Sequence, residues 1–338
     1  MAEGLQAAAA AAPPREGTSF SGHTQHTTFG EHLAGCVQRR QSQIVLGLDP
    51  DPARLWPEAL ELAGGAGSRT ESTRPAAEQA ARAVAAHCRL VLDAAAEQCV
   101  AVKPQVACFE RLGAPGWAAL REVMDDAAQR GLVVIADAKR GDIDISARAY
   151  AQAFFGATPT PFGEVQGLGA DALTVSPLLG RDSLAPLIEA ARERGAGLFA
   201  LARTSNPGVA DIQDRELADG GTVSEAVARM IDDLGRPGVG EAGLSDVGAV
   251  TGATAPERLE ALRQLMPHAV WLLPGIGPQG GSGRDLAPAF APGPAGGLVS
   301  ASRAIVYAFE RAGTSGAPSA CAQDAAARLR ELIWGLYA

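Results

Sequence analysis

The chain contains 29 lysine and arginine residues, but only two of them, Lys103 and Lys139, are lysines. Each lies where an apolar run typical of a buried strand comes to its end, the first run spanning residues 99–103 and the second 132–137. Arginine stays protonated, whereas the lysine ammonium has a pKa that its surroundings can shift and a proton that it can give up. Two lysines at strand ends therefore suggest proton-transfer chemistry.

Two carboxylates lie next to Lys139 in the sequence. Asp137 is two residues before Lys139, so in an extended strand the two side chains point to the same side. Asp142 follows after Gly141, which permits a turn. An isolated Asp-x-Lys pair at a strand end is often only a structural salt bridge. The neighbouring apolar run and Lys103 favour a catalytic array over that alternative.

A glycine-rich segment, residues 274–281, follows another apolar run, and Arg303 follows the last run of the chain. Glycines let backbone N–H groups approach phosphate oxygens, and arginine binds them in a bidentate manner. The pattern predicts a phosphate site formed by Arg303 and the glycine-rich segment, which includes Gly280 and Gly281, although an ordinary glycine-rich loop would look similar.

A polar run, residues 203–207, follows a further strand-like segment and includes Thr204 and Ser205. Its hydroxyl and amide groups suit hydrogen bonding to a polar heterocycle. They suit a capped turn equally well, and the residues alone leave the two interpretations open.

Eight apolar runs alternate with amphipathic helical patterns, which predicts an α/β fold, a TIM (β/α)8 barrel. A doubly wound open sheet is the competing architecture. We expect a single barrel domain over residues 26–338 behind a disordered N-terminal tail, residues 1–25, with loop insertions at 64–75, 156–169 and 235–243. A helix over 29–38 is expected to close the barrel bottom, Gly131 to end a helix, Asp182 to cap one, and 254–257 to form a capping box. The expected strands span residues 44–48, 99–103, 132–137, 172–176, 197–202, 247–251, 270–273 and 298–301.

The composition limits the classes of partner. The chain has 338 residues, 47% of them apolar, and a formal net charge of −9, which argues against a nucleic-acid partner but allows a small anionic ligand. No apolar run reaches the roughly 18 residues of a membrane span. Five cysteines without CxxC spacing, together with the lack of an export signal, predict a cytoplasmic protein without zinc or disulfides.

From about Phe29 to the C-terminus, these motifs resemble the orotidine 5'-phosphate decarboxylase family, in particular its longer bacterial branch. Its Asp-x-Lys-x-x-Asp signature matches residues 137–142, and four further blocks occur in the same order, at 48–51, 103–104, 204–207 and 274–281. The resemblance implies decarboxylation of orotidine 5'-phosphate to UMP in pyrimidine synthesis, with no cofactor and no metal. It also implies a homodimer.

The resemblance assigns roles to individual residues. Lys139 would protonate C6 of the substrate after CO2 leaves, and Asp137 would face the substrate carboxylate. Asp49 and Lys103 would contact the ribose. The remaining assignments place Ser205 on the pyrimidine, Gln279 and Arg303 on the phosphate, and Asp142 and Ile143 in the active site of a partner subunit.

The chain departs from the family pattern at three positions. Ser146 stands where threonine is usual and keeps the hydroxyl at the expected interface, Ser176 replaces an asparagine, and Asp144 adds a charge. None of these departures removes a proposed catalytic group.

Three rival functions remain open from the sequence. One is a magnesium-dependent sugar-phosphate enzyme resembling 3-keto-L-gulonate 6-phosphate decarboxylase, which uses the same strand motif. A second is an aldolase with a Schiff-base lysine. The third is an inactive barrel that only senses a nucleotide.

Overall fold

A computed structural model of the chain describes residues 27–64, 74–252, 256–274, 283–311 and 315–337. Within these ranges, eight parallel strands close into a barrel in which each strand pairs with the next barrel strand along the chain. The barrel strands are β1 (Ile44–Leu48), β2 (Ala101–Pro104), β3 (Val133–Arg140), β6 (Ala172–Val175), β7 (Gly197–Arg203), β8 (Val247–Thr251), β9 (Trp271–Pro274) and β10 (Gly297–Ala301). Two further strands, β4 (Ala157–Thr160) and β5 (Gly163–Gln166), lie outside the barrel. β4 and β5 form a separate antiparallel hairpin. Closure of the sheet confirms the TIM barrel and excludes the doubly wound sheet.

Helices connect the barrel strands. They are α1 (Phe29–Arg40), α2 (Pro57–Leu62), α3 (Ala76–Ala95), α4 (Val106–Glu110), α5 (Ala114–Gln129), α6 (Asp144–Phe154), α7 (Arg181–Glu193), α8 (Val223–Gly235), α9 (Pro256–Leu265), α10 (Arg303–Val306) and α11 (Pro318–Tyr337). In the described part of the chain, none of these helices has the length and apolarity needed to span a membrane. Gly131, with a φ of 71°, follows the end of α5 as predicted.

Side chains alternate between two cores along each barrel strand. In β3, Val133 and Ile135 belong to the core inside the barrel, whereas Val134 and Ala136 pack outward under the helices. Asp137, two residues after Ile135, points to the same inner side. The strand reaches the barrel mouth at Asp137, and polar residues follow the apolar ones there. The strand period of two therefore places the site residues on the inner face.

Helix α1 contributes to the inner core, as its predicted place at the barrel bottom requires. A capping box of Thr28 and Glu31 begins the helix, with each side chain accepting a hydrogen bond from the other residue's backbone N–H. Phe29 then packs edge-on against Phe199 of β7, with ring centroids 6.0 Å apart. Leu33 is also buried in this inner cluster.

Two sequence predictions are wrong in detail. Asp182 does not cap α7, because Gly180, at a φ of 94°, ends the preceding turn and the helix begins at Arg181. The predicted loop at 156–169 contains the β4–β5 hairpin, since Gly163 at a φ of 108° permits its tight turn and Arg121 of α5 donates to the carbonyl oxygens of Gln166 and Gly167. The tail and most of the 64–75 insertion lie outside the described residues. So do residues 254–255 of the capping box.

Candidate active site

Lys103, Asp137 and Lys139 meet at the mouth of the barrel, where the paired strands β2 and β3 end. The Lys103 Nζ atom lies 2.5 Å from Asp137 Oδ2, and the Lys139 Nζ atom lies 2.5 Å from Asp137 Oδ1. One carboxylate thus bridges both lysines of the chain, and we call Lys103, Asp137 and Lys139 the bridged cluster. This confirms that Asp137 and Lys139 point to the same side and that Lys103 lies beside them.

The Asp137 carboxylate is buried and accepts four hydrogen bonds. In addition to the two ammonium groups, Thr174 Oγ1 donates to Oδ1 at 2.9 Å and Gln105 Nε2 donates to Oδ2 at 3.1 Å. Burial raises the pKa of Asp137, but the adjacent Lys103 and Lys139 ammonium groups outweigh burial and hold the pKa below its usual value. Asp137 is therefore a stable anion at neutral pH.

The two lysines differ in their access to a ligand. The Lys103 side chain is 10% exposed, whereas that of Lys139 is 45% exposed. A molecule entering the barrel mouth can therefore contact the Lys139 ammonium directly, while Lys103 lies deeper, against Asp137. This difference is consistent with Lys139 as the proton donor and Lys103 as a fixed positive charge.

Lys139 has a left-handed backbone, with a φ of 48°. This conformation costs a non-glycine residue about 1 kcal/mol or more, so neighbouring contacts must hold it. The Lys139 N–H donates to Thr174 Oγ1 at 3.0 Å, and the register between β3 and β6 shifts between Ala136 and Arg140. Lys139 thus leaves the regular strand and is held by the neighbouring barrel strand.

Sequence reasoning missed Thr174 and Gln105. A signal for Thr174 was present: it lies two residues after Ala172 in β6, on the same inward side, and is the one hydroxyl in an otherwise apolar strand. Gln105 follows the end of β2 and forms an isolated bridge with Asp137, so its place was harder to foresee.

The predicted interface residues lie at the surface of the chain. Ile143 and Ser146 are exposed, and Asp142 is half-buried with its Oδ1 atom accepting from the Ile143 N–H at 2.8 Å. Within the described residues, Asp142 forms no ion pair with Lys139 or any other cation. A single chain therefore does not bring Asp142 into the bridged cluster.

Asp49 and Arg303 are exposed at the ends of adjacent barrel strands. Asp49 follows β1 and lines a cavity together with Ser302, the residue that precedes Arg303. β1 also neighbours β2, where Gly47 pairs with Lys103, so the three strand ends share one rim. Gln279, Gly280 and Gly281 lie outside the described residues.

The loop after β7 presents Thr204 and Ser205. Thr204 is tied to the loop by its N–H, which donates to Gln213 Oε1 at 2.7 Å, while the Ser205 side chain is exposed. Arg203 makes a bidentate ion pair with Asp214, with both N–O distances 2.9 Å. Residues 203–207 thus form an ordered turn in which the Ser205 hydroxyl is available to a ligand. A turn held by its own hydrogen bonds is therefore compatible with binding of a polar heterocycle.

In the described part of the chain, no group of three histidine, cysteine or acidic side chains is placed to hold a metal ion. The five cysteines are free thiols.

A family model described as "Orotidine 5'-phosphate decarboxylase / HUMPS family" matches residues 42–314. The chain belongs to this family. It is 46% identical to an orotidine 5'-phosphate decarboxylase of Deinococcus radiodurans, covering 91% of this chain and 97% of that protein. It is 42% identical to the protein of the same name from Rhodopirellula baltica, with coverage of 84% and 90%.

Solved structures of the family agree with the fold. A putative orotidine 5'-phosphate decarboxylase from Streptomyces avermitilis superposes with a TM-score of 0.70 at 32% identity, covering 93% of this chain and 98% of that one. The OMP decarboxylase of Leishmania donovani gives a TM-score of 0.64 at 30% identity, with coverage of 91% and 98%.

Proposed function

We propose that the chain decarboxylates orotidine 5'-phosphate to UMP and CO2 in pyrimidine synthesis. The observation that carries the proposal is the buried Asp137 carboxylate bridging a buried and an exposed ammonium group. Membership of the decarboxylase family and the names of full-length relatives support this substrate.

The chemistry requires stabilisation of a carbanion. When CO2 leaves, the bond between C6 and the carboxylate carbon breaks and its electron pair stays on C6. The Lys139 ammonium stabilises this charge as it develops in the transition state and then donates a proton to C6, becoming a neutral amine that regains a proton from water. Lys103 remains ion-paired with Asp137, so the carboxylate keeps a cationic partner after Lys139 has given up its proton.

Asp137 has a second role in this scheme. Its charge holds the Lys139 ammonium in place. Placed near the substrate carboxylate, it would also disfavour the bound ground state relative to the transition state, from which the carboxylate is departing.

The remaining substrate groups would be bound around the rim of the barrel. We assign the ribose to Asp49 and Lys103, the pyrimidine to Thr204 and Ser205, and the phosphate to Gln279, Gly280, Gly281 and Arg303. Phosphate binding is remote from C6, so its binding energy serves to orient the reacting ring.

We further propose that the enzyme is a homodimer in which each subunit supplies Asp142, Ile143 and Ser146 to its partner's site. The lack of an ion pair at Asp142 among the described residues supports this arrangement. The neighbouring surface is apolar, since Ile143 is 48% exposed and Leu178, after the adjacent strand β6, is 76% exposed. Burial of such a patch favours association.

No cofactor is assigned, because the two ammonium groups supply the electrostatic stabilisation and the proton. We expect the enzyme to act in the cytoplasm on a free nucleotide, with no nucleic-acid partner.

The direct test is conversion of orotidine 5'-phosphate to UMP by the purified chain, followed by ultraviolet absorbance. We expect turnover in the presence of EDTA, and Lys139→Arg should lose most activity because arginine keeps the charge but does not release its proton. Activity that EDTA abolishes and Mg2+ restores would favour the magnesium-dependent rival. Binding of UMP without turnover would favour a sensor, and borohydride trapping of a substrate adduct would favour an aldolase.

A further inference from the structure

The Thr174 hydroxyl makes two contacts with the bridged cluster. It donates to Asp137 Oδ1 at 2.9 Å and accepts from the Lys139 backbone N–H at 3.0 Å. Thr174 is 1% exposed and lies on β6, the barrel strand next to β3. One buried hydroxyl from a neighbouring strand thus links the carboxylate to the backbone of the proposed proton donor.

Both contacts oppose movements that would weaken the cluster. The donated hydrogen bond fixes the plane of the Asp137 carboxylate, whose Oδ1 atom also receives the Lys139 ammonium. The accepted hydrogen bond satisfies the Lys139 N–H, which its left-handed φ of 48° turns away from the regular strand ladder. Without this acceptor, the part-buried N–H would lose its protein partner and the strained conformation would lose its support.

We infer that Thr174 is a positioning residue for the decarboxylation: its hydroxyl holds the Lys139 Nζ atom on Asp137 Oδ1 in the geometry from which the proton is delivered. This inference rests on the proposed function and adds to it a residue outside the family signature. The methyl group of Thr174 fills space, whereas the hydroxyl alone performs this role.

Three variants separate the hydroxyl from the packing. Thr174→Val keeps the shape and removes the hydroxyl, whereas Thr174→Ser keeps the hydroxyl and removes a methyl group. Thr251→Val is a matched control, because Thr251 is also fully buried, at the end of the barrel strand β8, and its Oγ1 atom has no hydrogen-bond partner in the described structure. All three are assayed for kcat and KM after confirmation of the fold by circular dichroism.

We expect Thr174→Val to lower kcat roughly 10- to 100-fold, since a hydrogen bond to a charged group contributes this much, and to change KM less than about threefold. Thr174→Ser should stay within about fivefold of the unchanged chain, and Thr251→Val within about twofold. A kcat for folded Thr174→Val within twofold of the unchanged chain would overturn the inference. Equal losses in Thr174→Val and Thr174→Ser would overturn it too, because packing would then be responsible.

A second measurement does not depend on turnover. Hydrogen exchange of the Lys139 backbone amide, followed by NMR, should accelerate at least about tenfold in Thr174→Val and stay slow in Thr174→Ser and Thr251→Val. Unchanged exchange in Thr174→Val would refute the positioning role. If the unchanged chain fails to convert orotidine 5'-phosphate, the proposed function fails, while the exchange experiment still decides whether Thr174 holds Lys139.

Discussion

Replacing Asp137 with asparagine should destabilise the fold mainly through Lys103. The Lys103 side chain is 10% exposed, and among the described residues its ammonium has no other carboxylate partner. Removal of one member of a buried ion pair costs about 3–5 kcal/mol, because the other charge stays buried without compensation. Lys139 is 45% exposed, so water solvates its ammonium once Asp137 is lost, and we expect its contribution to be below about 1 kcal/mol.

The assay is urea denaturation of four proteins: the unchanged chain, Asp137→Asn, Lys103→Met and the double variant. Asp137→Asn should lower the free energy of unfolding by about 3 kcal/mol or more. Lys103→Met should cost less, because Lys139 still pairs with Asp137. The double variant should recover part of the Asp137→Asn loss, since the uncompensated ammonium is gone, which gives a coupling energy of about 1–3 kcal/mol.

Two results would refute this reasoning. One is a loss below about 1 kcal/mol for Asp137→Asn, which would mean that water reaches Lys103 in the folded protein. The other is a double variant that is less stable than Asp137→Asn by the full cost of Lys103→Met. Additive losses of this kind would show that the two side chains contribute independently.

Three further predictions concern the interface, a buried histidine and a buried arginine. Lys139→Ala and Asp142→Ala should each be nearly inactive as homodimers. If subunits exchange randomly and share sites, mixing the two variants should restore about a quarter of the activity of the unchanged chain. No recovery, although mass spectrometry shows that subunits have exchanged, would exclude shared sites. Burial lowers the pKa of His87 to about 4, below its unfolded value of about 6.5, so the unfolded state binds the extra proton and stability should fall as the pH drops from about 6.5 to 4. His87→Gln should flatten this dependence in urea titrations at pH 7 and pH 5, and an unchanged slope would assign it to other groups. Arg263 is 5% exposed and donates hydrogen bonds to five backbone carbonyl groups. Arg263→Met should therefore lower the free energy of unfolding by roughly 2–4 kcal/mol, because these carbonyl groups lose their donor. A thermal midpoint within about 1 °C of the unchanged chain would contradict this.

The barrel could be predicted from the sequence because its strands are short apolar runs in regular alternation with helices. β1 and β8 match their predicted bounds, residues 44–48 and 247–251, and the other strands differ by a few residues. The bridged cluster could be predicted too, since Asp137 and Lys139 follow such a run at a spacing of two. These features depend on local periodicity, which can be read from a single sequence.

Other features depend on contacts between distant segments. Arg263 resembles a surface arginine in the amphipathic helix α9, yet it is 5% exposed and donates to five backbone carbonyl groups, those of Met266, Ala269, Pro288, Ala289 and Gly296. Burial lowers the pKa of its guanidinium to about 9. Thr174 is similar: the sequence marks it as a hydroxyl on the inner side of an apolar strand, but its partners are visible only once β6 lies beside β3. No local sequence pattern indicates which carbonyl or carboxylate group a side chain will contact in the folded chain.

The bridged cluster of two lysines and one aspartate has an excess of one positive charge, in a chain whose formal net charge is −9. The net charge of the chain therefore repels a nucleotide anion, whereas the bridged cluster attracts it locally. Low-dielectric walls concentrate the field of such a charge along the opening and guide an approaching anion inward. Added salt screens both the distant repulsion and the local attraction. The rate of substrate binding therefore rises with salt if the repulsion dominates and falls with salt if the attraction dominates. Both lysines of the chain lie at this one place, so the mouth is distinguished from the rest of the protein by its ammonium groups as well as by its shape.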